Sequence, residues 1–336
     1  VSTPARRIGP FTVFPIGLGC MSLSHAYGTP PPADVAERLL LEALDLGVTL
    51  FDTAALYGFG ANETLVGRVL KTHRDRIVLC SKGGMGGQPV GPGGALQRVI
   101  DGRPEAIRRD CEDSLRRLGT EVIDLYYLHR WDKRVPIEDS VGAMADLVAA
   151  GKVRTLGLSE VSAATLKRAH AVHPIAALQT EYSLWTRNPE IAVLDACRDI
   201  GAAFVAFSPL ARGFLTGRLR DVQALDAKDI RRAMPRFDPA TYAQNLALLP
   251  PYEALAAEAG CTPGQLALAW LLAQGDHVIP LPGTTSVAHL REDVAAATLS
   301  IAPDVLRRAG ELIGQHTVQG ARYAAQSQSE VDTETF

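Results

Sequence analysis

The stretch VTLFDTAALYGFGANETLVGRVL (48–70) passes from a greasy strand into an amphipathic helix and carries Asp52 and Tyr57 between the two. Two further polar residues finish apolar runs downstream, Lys82 in RIVLCSK and His129 in DLYYLH. A lysine at the end of an apolar strand is buried at real cost unless a carboxylate compensates it, and Asp52 is placed to do so. An ammonium beside a phenol favours the phenolate, so Lys82 is expected to lower the pKa of Tyr57 and make it a proton donor and acceptor near neutral pH. His129 would then hold a carbonyl oxygen. Singly, each residue has an ordinary use: Asp52 as a loop cap, Tyr57 packed on a helix, His129 as a core histidine. Together on one rim they suit proton transfer to an oxygen.

That convergence depends on the elements that carry the four residues. After an expected N-terminal hairpin (RRIGPFTVFP), eight short β-branched runs follow: IGLGCM, VTLFDTA, RIVLCSK, VIDLYYLH, VRTLGLS, AALQTEYS, AAFVAFSPL and HVIPLPG. Amphipathic helices separate them. PADVAERLLLEALDLG has Asp34 as an expected N-cap and a stopping Gly47, and RPEAIRRDCEDSLRRLG has Pro104 in its first turn and ends at Gly119. Strands apolar on both faces, each followed by a helix, imply a parallel sheet covered by helices. Eight of them predict an α/β (β/α)₈ TIM barrel, with the active site at the carboxyl ends of the strands. The open-sheet alternative lacks its phosphate loop, because neither GLGCMS nor GGMGGQPVGPGG has the G-x-G-x-x-G spacing. Consecutive parallel strands lie about 4.8 Å apart, so Asp52, Lys82 and His129 meet if they share the inward parity.

Composition narrows the partners. The chain has 336 residues, is 47% hydrophobic and 21% charged, and has a formal charge of −3. The length fits either two domains or one large α/β domain, and the charge balance argues against nucleic acid. No apolar run reaches the roughly 18 residues of a membrane helix, and VSTPARRIGPF lacks the apolar core of a signal peptide. The five scattered cysteines form neither a disulfide framework nor a metal motif, which points to reduced thiols in the cytosol, and no histidine pairing suggests a metal.

FDTAALYG, SKGG, DLYYLHR, GKVRTLGLSE, LQTEYSLW, FSPLARGFLTGR and IPLPGTTSVAHLRED, in this order, resemble the aldo-keto reductase superfamily from about residue 14 to 323. Within it the chain is most similar to bacterial reductases of the pyridoxal-reductase and YakC type, and more distantly to the potassium-channel β subunit. The resemblance implies a catalytic tetrad of Asp52, Tyr57, Lys82 and His129. It also implies hydride transfer from a nicotinamide to an aldehyde or ketone carbon, with the tyrosine protonating the oxygen and no metal. Ser159 and Gln179 match the residues that bind the carboxamide, and Phe207 matches the aromatic stacked on the nicotinamide. Ser208, Pro209, Leu210, Ala211 and Arg212 match the loop over the pyrophosphate. Backbone near Gly19, Cys20 and Met21 should approach the nicotinamide ribose. Gly283, Thr285, His289, Glu292 and Asp293 match the adenosine end.

Two positions depart from the pattern. Glu160 stands where much of the superfamily has asparagine; an ionised glutamate accepts from the carboxamide NH₂ but cannot donate to its oxygen. His289 and Gly283 replace an arginine and a lysine that hold the 2′-phosphate in many members. Arg218, and an arginine within IRRAMPRF, match the phosphate-holding residues of the channel β subunit, so NADPH is favoured over NADH.

Specificity should reside in two long loops, GGMGGQPVGPGGALQRVIDG after Lys82, read as a lid or a flexible connector, and residues 211–249. Tyr27, Trp131, Tyr182 and Trp185 are expected to line the substrate pocket. Residues 1–323 form one domain, and 324–336 are a polar tail expected to be mobile unless it folds over the site. The favoured reading is a reductase of small carbonyl compounds. The alternatives are an alcohol, sugar or pyridoxine dehydrogenase on the same scaffold, and a slow redox-sensing binding subunit.

Overall fold

The computed structural model describes residues 5–90 and 93–336. β1 (Arg6–Ile8) and β2 (Phe11–Val13) form the expected antiparallel hairpin. β3 (Leu18–Gly19), α1 (Ala33–Asp45), β4 (Leu50–Asp52), α2 (Ala61–Leu70) and β5 (Val78–Gly83) follow. A second antiparallel hairpin, β6 (Met85–Val90) with β7 (Ala95–Ile100), leads to α3 (Pro104–Leu118). Next come β8 (Ile123–Leu128), α4 (Ile137–Ala149), β9 (Val153–Ser159), α5 (Ala163–Val172), β10 (Ile175–Glu181), α6 (Val193–Ile200) and β11 (Ala203–Phe207). The chain ends through α7 (Pro239–Leu246), α8 (Leu249–Glu258), α9 (Pro263–Leu272), β12 (Val278–Leu281), α10 (Val287–Ala295), α11 (Pro303–Leu312) and α12 (Ala325–Ser329).

β3, β4, β5, β8, β9, β10, β11 and β12 pair in parallel and in sequence order. The first and last of them are joined by Gly17 N–H donating to Pro280 O (3.0 Å) and Gly19 N–H to Pro282 O (2.9 Å), which completes the barrel. Every one of the eight expected strands is present. The helices cover the outside, as two-faced apolar strands require.

The interior shows how the strand ends become a site. Leu50, Val78, Cys80, Leu125, Tyr127, Ala177, Ala203, Val205 and Ile279 fill the barrel, and Ile8 and Val13 of the first hairpin join them. Side chains alternate along a strand, so the residue two places beyond an inward one also points inward. Asp52 follows Leu50 by two, Lys82 follows Cys80, His129 follows Tyr127, Gln179 follows Ala177 and Phe207 follows Val205.

Four local details add to or differ from expectation. α1 starts at Ala33, with Asp34 in its first turn and no side-chain cap. The glycine-rich stretch after Lys82 is a β-hairpin, and the long segment after β11 contains short 3₁₀ turns and α7. Residues 324–336, expected to be mobile unless folded over the site, lie docked beside it: Ala324 and Ser327 line the cavity over the strand ends, Val331 is buried, Lys133 Nζ donates to Ser329 O and Val331 O, and Asp332 Oδ2 accepts from Thr165 Oγ1 at the start of α5. Among the described residues no helix is long and apolar enough to cross a membrane.

Helix packing around the barrel is close enough to test directly. A Cβ built on Gly67 of α2 would stand 2.2 Å from the carbonyl oxygen of Leu118 in α3. Gly67→Ala should therefore cost about 1–3 kcal/mol or more by forcing the helices apart, read as a lower urea midpoint with little change in m-value.

Candidate active site

Asp52 closes β4, and its neighbour Lys82 lies on β5, one inward position further along. Lys82 is fully buried and its ammonium touches three oxygens: it forms an ion pair with Asp52, donates to Thr53 O at 3.0 Å, and donates to Tyr57 OH at 3.2 Å. Asp52 Oδ2 also accepts from Gln179 Nε2 (2.9 Å), so both carboxylate oxygens are engaged. Burial works to lower the Lys82 ammonium, but Asp52 and Tyr57 outweigh it and hold its pKa above the ordinary lysine value. Lys82 is a permanent cation at neutral pH.

Tyr57 is held by an unusual loop. Gly58, Phe59 and Gly60 take φ values of 57°, 49° and 96°, a left-handed path that turns the chain into α2 directly behind the phenol. Buried Asn62 ties this loop down: its Oδ1 accepts from Thr53 Oγ1 (2.6 Å), and its Nδ2 donates to Cys20 O and Ser24 Oγ (both 2.9 Å). Buried Glu63 anchors the same turn through Ser81 Oγ (2.5 Å) and Arg117 Nε (2.6 Å).

The pKa of Tyr57 is corrected by the structure. Burial pushes the phenol up, and the opposing pull of Lys82 does not reverse it, so its pKa lies above the ordinary tyrosine value and not below it. Tyr57 keeps its proton at neutral pH. His129 shows the converse: burial first, then Arg130 and Lys82, drives its pKa well below the usual range, so the ring is neutral. The two rings meet edge to face with centroids 5.8 Å apart, and His129 Nδ1 is buried without a hydrogen-bond partner.

A cavity of about 1110 Å³ opens over these residues. Asp52, Tyr57, His129, Gly19, Met21, Ser159, Gln179, Phe207, Ser208, Pro209, Leu210, Arg212, Arg218, Gly283, Thr285, His289, Glu292, Asp293 and Tyr27 all line it. Lys82 and Cys20 lie buried behind its floor and Ala211 is buried behind its wall. Three residues expected in the substrate pocket are elsewhere. Trp131 donates its indole N–H to Val135 O (2.9 Å) and stacks under Arg168. Tyr182 is fully buried against Phe204 and Trp270, and Trp185 packs on Phe214 with ring centroids 4.0 Å apart. Each lies past a strand end, where strand parity no longer aims a side chain at the axis. The pocket instead uses residues that sequence reasoning passed over, among them His25, Met85, Arg98, Arg130 and Tyr323. Arg130 had a signal, since it follows His129 directly; Met85 and Arg98 belong to the β6–β7 hairpin, and His25 and Tyr323 come from loops without periodicity.

Sequence comparison agrees with this geometry. A model of the Aldo/keto reductase family matches residues 15–313. The chain belongs to the aldo/keto reductase family. It is 41% identical, over all of its own length and 98% of the relative's, to the aldo-keto reductase yakc [NADP(+)] of Schizosaccharomyces pombe. It is also 41% identical to a probable aldo-keto reductase 1 of Glycine max, with 93% of this chain and 89% of the relative covered. A glycerol dehydrogenase from Gluconobacter oxydans superposes with a TM-score of 0.85 at 29% identity, covering 96% of this chain and 99% of that one. An aldo/keto reductase from Klebsiella pneumoniae, solved with NADP and acetate, gives a TM-score of 0.72 at 28% identity, with 96% and 99% covered.

The residues of this aldo/keto reductase fit an elongated dinucleotide. Ser159 and Gln179 offer polar groups at the cavity floor, beside the half-buried Phe207 ring. Ser208, Ala211, Arg212 and Gly213 adopt φ values of 49°, 50°, 55° and 99°, the kind of left-handed backbone that curves N–H groups around an anion. Arg212 does not itself reach for a phosphate from that loop: its guanidinium is salt-bridged to Glu181 (2.9 Å). At the far end Arg218 pairs with Glu292 (2.7 Å), and burial with the neighbouring Glu292 charge pushes Asp293 up to about 8, so Asp293 is protonated and does not repel a phosphate. Of the arginines in IRRAMPRF, Arg231 lines the cavity, whereas Arg236 is buried under Trp185.

Glu160 in this aldo/keto reductase is committed elsewhere. Its Oε1 accepts from Arg322 Nη2 (2.5 Å) and from the Glu181 N–H (2.9 Å). Arg322 in turn reaches Glu181, which is also held by Arg212, so a buried ion network ties the C-terminal segment to two strand ends.

Proposed function

We propose that this enzyme reduces an aldehyde or ketone with NADPH, Tyr57 delivering the proton. The observation that carries this reading is the buried ammonium of Lys82, shared between Asp52 and the phenol oxygen of Tyr57 at 3.2 Å. A substrate oxygen placed between Tyr57 OH and the neutral His129 ring meets one O–H donor and, in the suitable tautomer, one N–H donor. The Lys82 cation stabilises the phenolate that proton delivery leaves behind, and Asp52 keeps Lys82 aimed. Ser159, Gln179 and Phe207 would hold the nicotinamide of NADPH, whose contribution when bound would be the hydride. The protonated state of Tyr57 at neutral pH favours reduction over alcohol oxidation, because oxidation needs the phenolate as base. Five free cysteines suit a reducing compartment, and we place the enzyme in the cytosol, acting on a small molecule.

The test is a fluorescence titration with NADPH and NADH, followed by a carbonyl and alcohol panel at pH 7. NADPH should bind more tightly, and carbonyl reduction should outrun alcohol oxidation; no binding of either nucleotide would sink the reading. The 2′-phosphate is assigned to Arg218, whose exposed pairing with Glu292 is weak enough to exchange for a phosphate. Arg218→Ala should raise the NADPH dissociation constant about tenfold and leave that of NADH nearly unchanged. Equal effects on both would remove this arginine from cofactor choice.

A further inference from the structure

Five arginines line the cavity: Arg98, Arg130, Arg212, Arg218 and Arg231. Four of them hold a carboxylate: Arg98 holds Glu330 (2.6 Å), Arg212 Glu181 (2.9 Å), Arg218 Glu292 (2.7 Å) and Arg231 Asp229 (2.6 Å). Arg130 alone, among the described residues, holds none. It is half-buried, directly after His129, and its Nη1 donates to His129 O (2.7 Å) and Ser159 Oγ (3.2 Å). A guanidinium carries five N–H groups in a planar fork, so the Nε–Nη2 edge remains for a bidentate acceptor.

The acids on the cavity wall do not compensate it. Asp52 is bound by Lys82, and Glu292 and Asp293 sit at the opposite end beside Arg218. The excess positive charge of the cavity over Tyr57 is therefore that of Arg130 itself, since Arg98 is neutralised by Glu330. A partly desolvated cation without a counter-charge is costly in an apo pocket and favourable once an anion fills it.

We propose that Arg130 selects carbonyl substrates that also bear a carboxylate, its free edge gripping the carboxylate while the carbonyl oxygen sits between Tyr57 and His129. This rests on the reductase reading above. It assigns the substrate class as oxo acids, and the class of reaction that supplies them as one that leaves an aldehyde or ketone on a carboxylic acid.

Initial rates with saturating NADPH should be compared for 4-oxobutanoate, 5-oxopentanoate and 4-formylbenzoate against their methyl esters. The ester keeps the carbonyl and removes the charge. In the wild type at least one acid should exceed its ester in kcat/KM by tenfold. Arg130→Gln should collapse that ratio ten- to a hundredfold, chiefly through the KM of the acid, and Arg130→Lys should restore part of it. A readout independent of variant folding is inhibition of ester reduction by the wild type. Benzoate should compete at least tenfold more strongly than benzamide. Ester reduction with no acid preference, or equal inhibition by benzoate and benzamide, overturns the inference and leaves the reductase reading standing. Reduction of neither acid nor ester removes both.

Discussion

Tyr57→Phe should leave NADPH affinity nearly unchanged and lower turnover by a factor of about 10²–10⁴, the range lost when a positioned general acid is removed. The substitution takes away the phenol oxygen that links the buried Lys82 Nζ, 3.2 Å distant, to the cavity, and leaves the ring edge to face with His129. The pH profile carries the sign. Burial holds the phenol's pKa above its ordinary value, so the donor is present throughout neutrality and reduction declines only as pH rises through that elevated pKa. Oxidation, which needs the deprotonated form, should climb over the same interval. His129 is driven well below the usual histidine range, so it adds no acid limb near pH 6. Stopped-flow reduction and steady-state oxidation across this range check both limbs. A mutant with comparable turnover, or an unchanged profile, would show that the proton comes from elsewhere.

Lys82→Met should destabilise the fold by about 3–5 kcal/mol and abolish measurable turnover. Removing one partner of a buried ion pair leaves the other as an uncompensated charge, and Asp52 would keep only its Gln179 donor in a closed environment. Because the cost lies in the orphaned carboxylate, the double variant Lys82→Met with Asp52→Leu should recover most of the stability and none of the activity. Urea denaturation of the two variants separates stability from chemistry. If the double variant were no more stable than the single one, the loss would be attributable to packing and not to charge.

Several of the residues expected at the site and found lining the cavity share one property: strand parity. Asp52, His129, Gln179 and Phe207 each finish a run whose previous inward residue is apolar, so an alternating pattern aims them before any contact is known. Trp131, Tyr182 and Trp185 stand beyond the last paired residues, where aromatic character gives no direction, and they turn into the packing between barrel and helices. The hairpin of β6 and β7 was illegible for another reason. Its glycines erase the alternation, and Gly87 lies against the exposed Phe59 ring, 2.5 Å from where a Cβ would stand. The tail was read from its polarity, yet its polar groups are the ones that dock it, through Lys133, Thr165 and Ala163. The direction of the Tyr57 shift was missed because a lysine's presence is visible in sequence while the depth of burial is not.

β3 contributes only two paired residues, and among the described residues two amide hydrogen bonds, Gly17 to Pro280 and Gly19 to Pro282, join the first and last staves of the barrel. Gly19, Pro282 and Gly283 from both sides of that junction face the cavity. A nucleotide lying across them would bridge segments more than 250 positions apart in the chain, and so would act as a clasp on this seam of the fold. Resistance to unfolding would then rise with saturation by nucleotide, by the linkage that any ligand of the folded state imposes.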